Sequence, residues 1–530
     1  MTQTQTHAQT HPDTHGIDPQ VYAKRWWTLG VLCTSLMVLM IANTSMNIAL
    51  PTLGKDLGAS TSAQQWMVDA YSLVFAGLLF SAGAIGDRYG RKGSLQAGLL
   101  IFLSGSVFAA LSHSAGAVIG GRAITGIGAA LVMPSTLSIL SNVFPAHERT
   151  RAIAIWAGIS GAGAALGPVI SGLLLEHFWW GSVFLINVPV VAFALIAGHR
   201  FVPTSRNPNE SSLDIVGSLL SIAGIGSLVY AIIEAPDHGW SSSTSIAWFA
   251  TAAVFLVAFV TYERRASDPM LDMHYFSDRR FSIASGSMSL VYFAMFGTMF
   301  LLTQYFQLVL GFATLEAGLK QLPFPIVLMT IAPNTPKIAA RLGGNRMVGI
   351  GLSLVGLSLL GFTQFDRGTA YPFLALTMGV MAGGMAMTIS PLTASIMSAV
   401  PPSRAGAGSA MNDTSRELGG ALGVAVLGSL VASKFDTGIQ SSVARLSAAD
   451  RAEAQSSLAG AVQVARRLPG TAGSALVRGA QDAFLSGMHL AATLAGLVAL
   501  VAASVAWRLL PQRRPVAVRA EVFEEALTMG

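Results

Sequence analysis

The chain has 530 residues, of which 52% are hydrophobic and only 11% are charged, against roughly 25% charged in an ordinary soluble domain. So few charges cannot cover a water-facing surface, and they lie in short clusters between long apolar runs, which predicts an all-α polytopic membrane protein rather than a β-barrel. The net charge of +6 requires no nucleic-acid partner, because Lys and Arg concentrated in cytoplasmic loops account for it.

The N-terminal segment, residues 1–24, is polar and has no apolar period. His7, His11 and His15 recur every four residues, but Pro12 and the many Thr residues disfavour the helix that would align them. We therefore expect a disordered cytoplasmic tail without a metal site. The first apolar run is too long for a cleaved signal peptide and should stay in the membrane as an anchor.

Fourteen apolar spans follow, each near the ~20 residues that a bilayer requires. Their approximate cores are residues 27–50, 64–84, 95–112, 116–139, 152–174, 182–198, 214–233, 244–262, 283–308, 317–336, 347–363, 372–396, 407–432 and 484–508. With a cytoplasmic N-terminus, 21 of the 32 Lys and Arg residues fall in inner segments and 8 in outer segments. This asymmetry predicts a multi-pass protein of the cell membrane with both termini in the cytoplasm.

The spans are arranged as six, two and six. Spans one to six form an N-terminal half, residues 25–198, and spans nine to fourteen form a C-terminal half, residues 281–510. Residues 199–280 are a linker that contains the two extra central helices. The longest loop, residues 433–483, lies on the outer face, and residues 511–530 form a cytoplasmic tail.

A short, charged and glycine-rich turn, residues 83–95, joins spans two and three. So short a basic link between two apolar spans predicts an antiparallel helix pair whose turn lies in the cytoplasm. The residues of interest in the turn are Gly83, Asp87, Arg88, Gly90, Arg91 and Lys92.

Ionisable residues inside membrane spans are costly, so each is a functional candidate. Asp69 in span two and Arg122 in span four each lie about six residues from the outer end, roughly 9 Å deep at 1.5 Å per residue. Equal depth predicts that the two side chains pair. The pair is either a static salt bridge that locks two helices or a site at which Asp69 titrates during transport.

Span thirteen carries a second group of charges. Asp413 and Arg416 are three residues apart and can neutralise each other on one helix face. Glu417 lies roughly 15 Å deep, near the bilayer midplane, without an evident local partner. A carboxyl group at that depth suits a carrier that binds and releases a proton, although a snorkelling or interhelically paired glutamate is the alternative.

Span five contains a stripe of small residues at four-residue intervals, which lets another helix approach closely. The stripe comprises Gly163, Gly167 and Ser171, and it is followed by Gly172. Pro168 removes one backbone hydrogen bond and permits a bend. A smooth, bendable seam suits two halves that slide past each other, although ordinary tight packing would give the same pattern.

The sequence also argues against several functions. It contains no G-x-x-x-x-G-K-[ST] phosphate loop and no H-E-x-x-H motif. Cys33 is the only cysteine, so neither an intramolecular disulfide nor a metal site built on several thiolates can form. We therefore expect no enzyme activity, no cofactor and no metal, and an ion gradient is the remaining energy source for transport.

Three motifs carry a family resemblance. The turn at 83–95 matches the signature G-x-L-a-D-r-x-G-r-k-x-x-l, with mild departures at Ile85 and Gly86. Arg122 and the glycines that follow it are similar to R-x-x-q-G-x-g-A, and the span-five stripe is similar to G-x-x-x-G-P-x-x-G-G. Over about residues 25–510 the chain resembles the fourteen-helix drug:proton antiporter branch of the major facilitator superfamily.

This resemblance implies the major facilitator fold and alternating access between two six-helix halves. It also implies proton-coupled export of hydrophobic or amphipathic drug-like compounds by a protein that is expected to be a monomer. Protons from outside would neutralise Asp69 or Glu417. Asp87, Arg88 and Arg91 would latch the inner face while the outer face is open.

One departure from the family is informative. Many members carry an aspartate where this chain has Ala42, so Asp69 and Glu417 would have to carry any proton coupling. Two alternatives remain open. The chain could export a lipid or one endogenous antibiotic by the same mechanism, or it could be a membrane receptor that transports nothing.

Overall fold

A computed structural model describes residues 18–205, 214–267, 269, 271–400 and 405–510. Within these residues the secondary structure is helical and contains no strand. Residues 1–17 of the expected disordered tail with its three histidines, part of the first linker (206–213) and the C-terminal tail (511–530) lie outside the described residues. The last residues of the expected tail, 19–24, are instead the first turns of α1, because Asp18 caps the helix and Pro19 suits its first position.

The N-terminal half contains seven helices. These are α1 (Pro19–Asp56), α2 (Thr61–Tyr89), α3 (Arg91–Ala110), α4 (Ala115–Val143), α5 (Ala146–His177), α6 (Ser182–Leu185) and α7 (Asn187–Phe201). The linker then supplies α8 (Ile215–His238) and α9 (Ser243–Glu263), followed by a 3₁₀ turn at Met273–Ser277.

The C-terminal half contains α10 (Arg279–Gln304), which continues as a π-helix (Tyr305–Val309), and the helices after it. These are α11 (Thr314–Lys320), α12 (Pro323–Ile331), α13 (Thr335–Leu342), α14 (Gly344–Gly361), α15 (Tyr371–Ala399), α16 (Ala405–Val443), α17 (Ala448–Ser456), α18 (Leu458–Arg467) and α19 (Thr471–Leu509). The predicted outer loop, residues 433–483, is therefore mostly helical, because α16 and α19 extend into it and α17 and α18 lie between them.

Small polar residues fix where several helices begin. Ser60, Ser114 and Ser447 each accept a hydrogen bond from a backbone amide three residues later, at 3.2 to 3.3 Å. Asp214 does the same for α8 at 2.7 Å. Such caps satisfy amides that have no partner within the first turn of a helix.

Twelve helices within the described residues are long and apolar enough to cross a membrane. The other two predicted spans correspond to the 32-residue helix α5 and to the series α11, α12 and α13. The prediction of one continuous tenth span is wrong, because prolines, which lack an amide donor, interrupt the helix. These are Pro323, Pro325, Pro333 and Pro336. The exact number of fourteen spans stays a prediction.

We call the end of the bundle at which α1 begins the proximal end and the opposite end the distal end. Within the N-terminal half α1 packs on α5 and α7, and α4 packs on α2 and α3. Within the C-terminal half α10 packs on α15 and α16, and α14 packs on α15 and α19. The halves meet where α2 lies against α16 and where α5 lies against α11, while α8 fills the groove between α2 and α16.

Candidate functional site

The face of α2 that meets α16 carries three polar side chains near its distal end. Gln65, Asp69 and Ser72 follow one another at intervals of four and three residues, which places them on one side of a helix. The Gln65 side-chain amide donates to the carbonyl oxygens of Val424 at 3.0 Å and Ala425 at 2.9 Å, both on α16. This seam between the two halves is the candidate site.

Glu417 of α16 lies at the same seam. Its carboxylate lies close to the Ser72 hydroxyl of α2, and its Oε2 atom is enclosed without a hydrogen-bond partner among the described residues. The neighbour that the sequence did not reveal is therefore a neutral serine from the opposite half. Tyr71 and Arg122 also lie within electrostatic range of this carboxylate.

Asp69 is completely buried, at 0% exposure. Within the part of the chain that the structure describes, neither oxygen of its carboxyl group has a hydrogen-bond partner. An ionised carboxylate without partners is costly to bury, so Asp69 is the most unusual ionisable group on this seam.

The predicted pair of Asp69 and Arg122 is not formed. Arg122 donates from Nε to the Met67 carbonyl oxygen at 2.9 Å, and its guanidinium carbon lies 4.5 Å from the centroid of the Tyr71 ring. Met67 and Tyr71 face α4, and Asp69, two residues from each, faces the other side of α2 because successive helical residues are about 100° apart. Depth in the membrane alone therefore does not bring two side chains together, because the rotation of each helix about its axis also decides which residues meet.

The remaining predicted charges form a small cluster in the C-terminal half. Asp413 and Arg416 are ion-paired at 3.4 Å, as their spacing predicts. Arg416 also donates from Nε to the Tyr292 hydroxyl of α10 at 2.7 Å. The side chains of Asp413 and Arg416 retain 18% and 32% exposure, so neither is fully enclosed.

Gln65, Ser72 and Tyr292 are not among the site residues predicted from the sequence, because that prediction rested on charged residues within spans. A signal for the first two was present. Buried amides and hydroxyls also need partners in an apolar environment, and Gln65, Asp69 and Ser72 recur on one face of α2. Tyr292 has no comparable signal in the sequence.

The predicted turn at residues 83–95 is mostly helical, because α2 continues to Tyr89 and α3 begins at Arg91, so that Gly90 alone separates the two helices. We keep the name turn for this junction, which is held together inside the N-terminal half. Asp87 Oδ1 lies 2.5 Å from Arg91 Nε and accepts a hydrogen bond from the Ser138 hydroxyl of α4 at 2.9 Å. Gly90 has φ of +126°, a conformation that residues with a side chain rarely adopt. The turn therefore needs glycine at this position.

The same turn is tied to the last turn of α7 and to the segment that follows this helix. The Lys92 ammonium donates to the His199 carbonyl oxygen at 2.7 Å, and the Arg91 amide donates to the Ser205 carbonyl oxygen at 3.0 Å. Arg88 is exposed, and Gly83 lies against Pro134 of α4. The turn thus joins α2, α3, α4 and the end of α7.

The stripe on α5 contacts two different helices. Gly163 and Gly167 lie against the backbone of α1 in the same half. Gly172 and Pro168 instead lie against α11 of the other half, where a Cβ atom on Gly172 would come within 2.7 Å of the Leu315 Cα atom. Only the distal part of the stripe is therefore a seam between the halves.

Hydrogen bonds that join the halves cluster toward the distal end. Besides Gln65, Gln307 donates to the Ile48 carbonyl oxygen at 3.0 Å, and Thr314 donates to the Gly172 carbonyl oxygen at 3.3 Å. The distal end is therefore closed by direct contacts between the halves. In the part of the chain that the structure describes, no three His, Cys, Asp or Glu side chains come together to hold a metal ion.

The multidrug efflux pump LfrA of Mycolicibacterium smegmatis is 37% identical to this chain over 490 residues, which are 91% of this chain and 95% of that protein. The tetracenomycin C resistance and export protein of Streptomyces glaucescens is 32% identical over 510 residues, 95% of each chain. The crystal structure of a bacterial homologue of the human lysosomal transporter Spinster matches the fold with a TM-score of 0.66 and 16% identity, covering 93% of this chain and 98% of that one.

The sequence model of the Major Facilitator Superfamily matches residues 32–424. This match covers most of the chain and includes α2, α4, the turn at residues 83–95 and the small-residue stripe of α5. Together with the relatives above 30% identity, it settles the family: the chain belongs to the Major Facilitator Superfamily and is a multi-pass membrane transporter rather than an enzyme.

Proposed function

We propose that this protein exports hydrophobic or amphipathic drug-like compounds from the cell in exchange for protons. Export is supported by relatives named as a multidrug efflux pump and as an antibiotic resistance and export protein. Since the second relative is named for one antibiotic, a narrow exporter of a single antibiotic is the alternative. Accumulation assays over a panel of compounds distinguish the two.

The observation that carries the proposal of proton coupling is Asp69, fully buried with two unpartnered oxygens at the seam between the halves. Because an ionised carboxylate is costly there, loss of its proton is expected to require the seam to rearrange. Glu417, which lies close to Ser72 across the same seam, would link a second proton site to the same movement.

In this proposal the proximal end faces the cytoplasm, and both chain termini lie there. The distal contacts of Gln65, Gln307 and Thr314 hold the outer face closed. They would have to break for the compound to leave, as alternating access between two halves requires. Asp413 and Arg416, which remain partly exposed, would contact the transported compound, and the protein would work as a monomer.

The test uses inverted membrane vesicles, in which an exporter takes up its substrate. We expect the double variant Asp69→Asn, Glu417→Gln to lose proton-driven uptake of ethidium, an amphipathic cationic dye, while still binding it. The control variant Glu316→Gln removes a carboxylate that is about half exposed (48%) and should leave uptake intact. Undiminished uptake by the double variant would overturn the assignment of the coupling residues.

A further inference from the structure

A cavity of about 190 Å³ lies at the distal end, where α2, α8, α16 and α17 meet. We call it the distal vestibule. Its walls include Ser62 at the start of α2, Ile233 and Asp237 near the end of α8, and Ala432 and Asp436 on α16. The vestibule is thus formed by one helix from the N-terminal half, two from the C-terminal half and one of the inserted helices.

The charged side chains on the walls of the vestibule are both acidic. Asp237 accepts a hydrogen bond from the Ser62 hydroxyl at 3.0 Å, and Asp436 accepts one from the Gln440 amide at 3.1 Å. Carboxylates held at the mouth of a cavity with low-dielectric walls raise the local concentration of cations, protons included.

One face of α2 runs from the vestibule toward Asp69. Ser62, Trp66 and Leu73 all contact α8, through Asp237, Glu234 and Val229 respectively. Asp69 falls in this series at helical spacing, about 10 Å below Ser62 at 1.5 Å per residue. The α2 helix therefore places the vestibule and the buried carboxyl group in line.

The inserted helix α8 packs along the same part of the seam between α2 and α16. Leu73, Ala425 and three residues of α8 (Val229, Ile232 and Ile233) pack into one apolar cluster. This cluster seals the seam between α2 and α16 on the side where α8 lies. Without α8, the side of this seam that α8 covers would face lipid.

Three other charged groups lie near the seam, and of these Glu234 is on the α8 side of the same α2 face. From α8, Glu234 accepts a hydrogen bond from the Trp66 indole at 3.3 Å. From α16, Glu417 faces Ser72 farther from the vestibule. Arg122 of α4 is on the opposite side of α2, where it bonds to Met67. Between Ser62 and Asp69, the buried Gln65 Oε1 atom has no hydrogen-bond partner and can accept one from water.

We propose that the distal vestibule is the entrance through which protons reach Asp69, along the seam of α2, α8 and α16 and apart from the path of the transported compound. The inference rests on the proposed proton coupling and assigns a role to the inserted helix α8. Protons collect at Asp237 and Asp436, pass Gln65 and bind to the Asp69 carboxyl group.

The test places a charged label in the vestibule. Cys33 is the only cysteine and is buried, so Cys33→Ala gives a cysteine-free parent. Ala432→Cys lines the vestibule, and its neighbour Ser433→Cys, which is not among the lining residues, is the matched control. Each purified protein is labelled with a charged methanethiosulfonate reagent, checked by mass spectrometry and reconstituted into liposomes.

Two transport modes are then measured with ethidium. One is uptake driven by a proton gradient, and the other is counterflow, the exchange of dye for dye without net proton movement. We expect labelled Ala432→Cys to lose proton-driven uptake and to retain counterflow, while labelled Ser433→Cys retains both. Ala432→Trp, which fills the vestibule without any label, should behave like labelled Ala432→Cys.

Three results would overturn the inference. Proton-driven uptake could survive in both labelled Ala432→Cys and Ala432→Trp, which would show that protons use another route. Both modes could be lost together, which would mean that the added group at position 432 blocks the movement of the halves. If the unlabelled parent lacks proton-driven uptake but performs counterflow, the proposed proton coupling itself fails, and this result is distinct from the first two.

Discussion

The side-chain amide of Gln65 donates to the Val424 carbonyl oxygen across the seam between the two halves, at 3.0 Å. The same nitrogen lies 2.9 Å from the Ala425 carbonyl oxygen and 3.3 Å from the Ser429 hydroxyl. One glutamine therefore holds α2 against α16 near the distal end, a short distance above Asp69.

Gln65→Leu should favour the state in which the distal end is open. The variant removes hydrogen bonds that are each worth about 1 kcal/mol and that form only while the distal end is closed. Distances between spin labels at the distal ends of α2 and α16 are expected to increase. Gln64→Leu is the matched control, because Gln64 is equally buried but bonds to Ala59 within its own half. Equal distance changes in both variants would contradict this role.

Gly172→Ala should impair closure of the distal end. A Cβ atom at this position would come within 2.7 Å of the Leu315 Cα atom and 2.8 Å of the Thr314 carbonyl oxygen on α11. We expect transport to fall sharply. Gly161→Ala is the control in the same helix, because nothing lies within 4 Å of the added atom. It should leave transport intact, since alanine inside a helix gives a more stable protein than glycine does, by about 0.5–1 kcal/mol. Normal transport by Gly172→Ala would contradict this prediction, because it would show that α11 can move away from the added methyl group and the distal end can still close.

Asp87→Asn should reduce transport while substrate binding remains. The asparagine can still accept the hydrogen bond from Ser138, but it loses the charge that pairs with Arg91 at 2.5 Å. Arg88→Gln is the comparison within the same turn and should have a smaller effect, because Arg88 is exposed. Unchanged turnover in Asp87→Asn would refute the proposal that this turn latches the inner face.

Asp366 stabilises the turn between α14 and α15 in a pH-dependent way. Hydrogen bonds from the Thr369 hydroxyl at 2.9 Å and the Gly368 amide at 2.8 Å lower the pKa of the Asp366 carboxyl group. Because the folded state holds the ionised form, this contribution is present above the ordinary pKa of the group and is lost as the pH falls through the lowered value. Asp366→Asn should lower the melting temperature at pH 7 and have no effect in strong acid. A shift that does not depend on pH would contradict this account.

Apolar run length, charge clusters and short motifs were enough to predict the helical membrane fold and the family. They were enough because lipid forces the backbone of each span to satisfy its own hydrogen bonds. The pairing of Asp413 with Arg416 followed from local spacing alone. Pairing across helices did not follow, as Arg122 shows, because it depends on how each helix is rotated about its axis. The vestibule depends on where the inserted helix α8 docks, which no local pattern in the sequence encodes.

The interrupted segment from α11 to α13 has a consequence for how the protein exchanges hydrogen with solvent. Side chains add to its backbone hydrogen bonds: the Thr335 hydroxyl donates to the Ala332 carbonyl oxygen at 2.7 Å, and the Asn334 amide donates to the Thr330 carbonyl oxygen at 3.3 Å. Such bonds can switch partners without unwinding a whole helix. Deuterium should therefore label the amides of this segment sooner than those of α10 or α16. That result would identify the segment from α11 to α13 as the part of the C-terminal half that bends most easily.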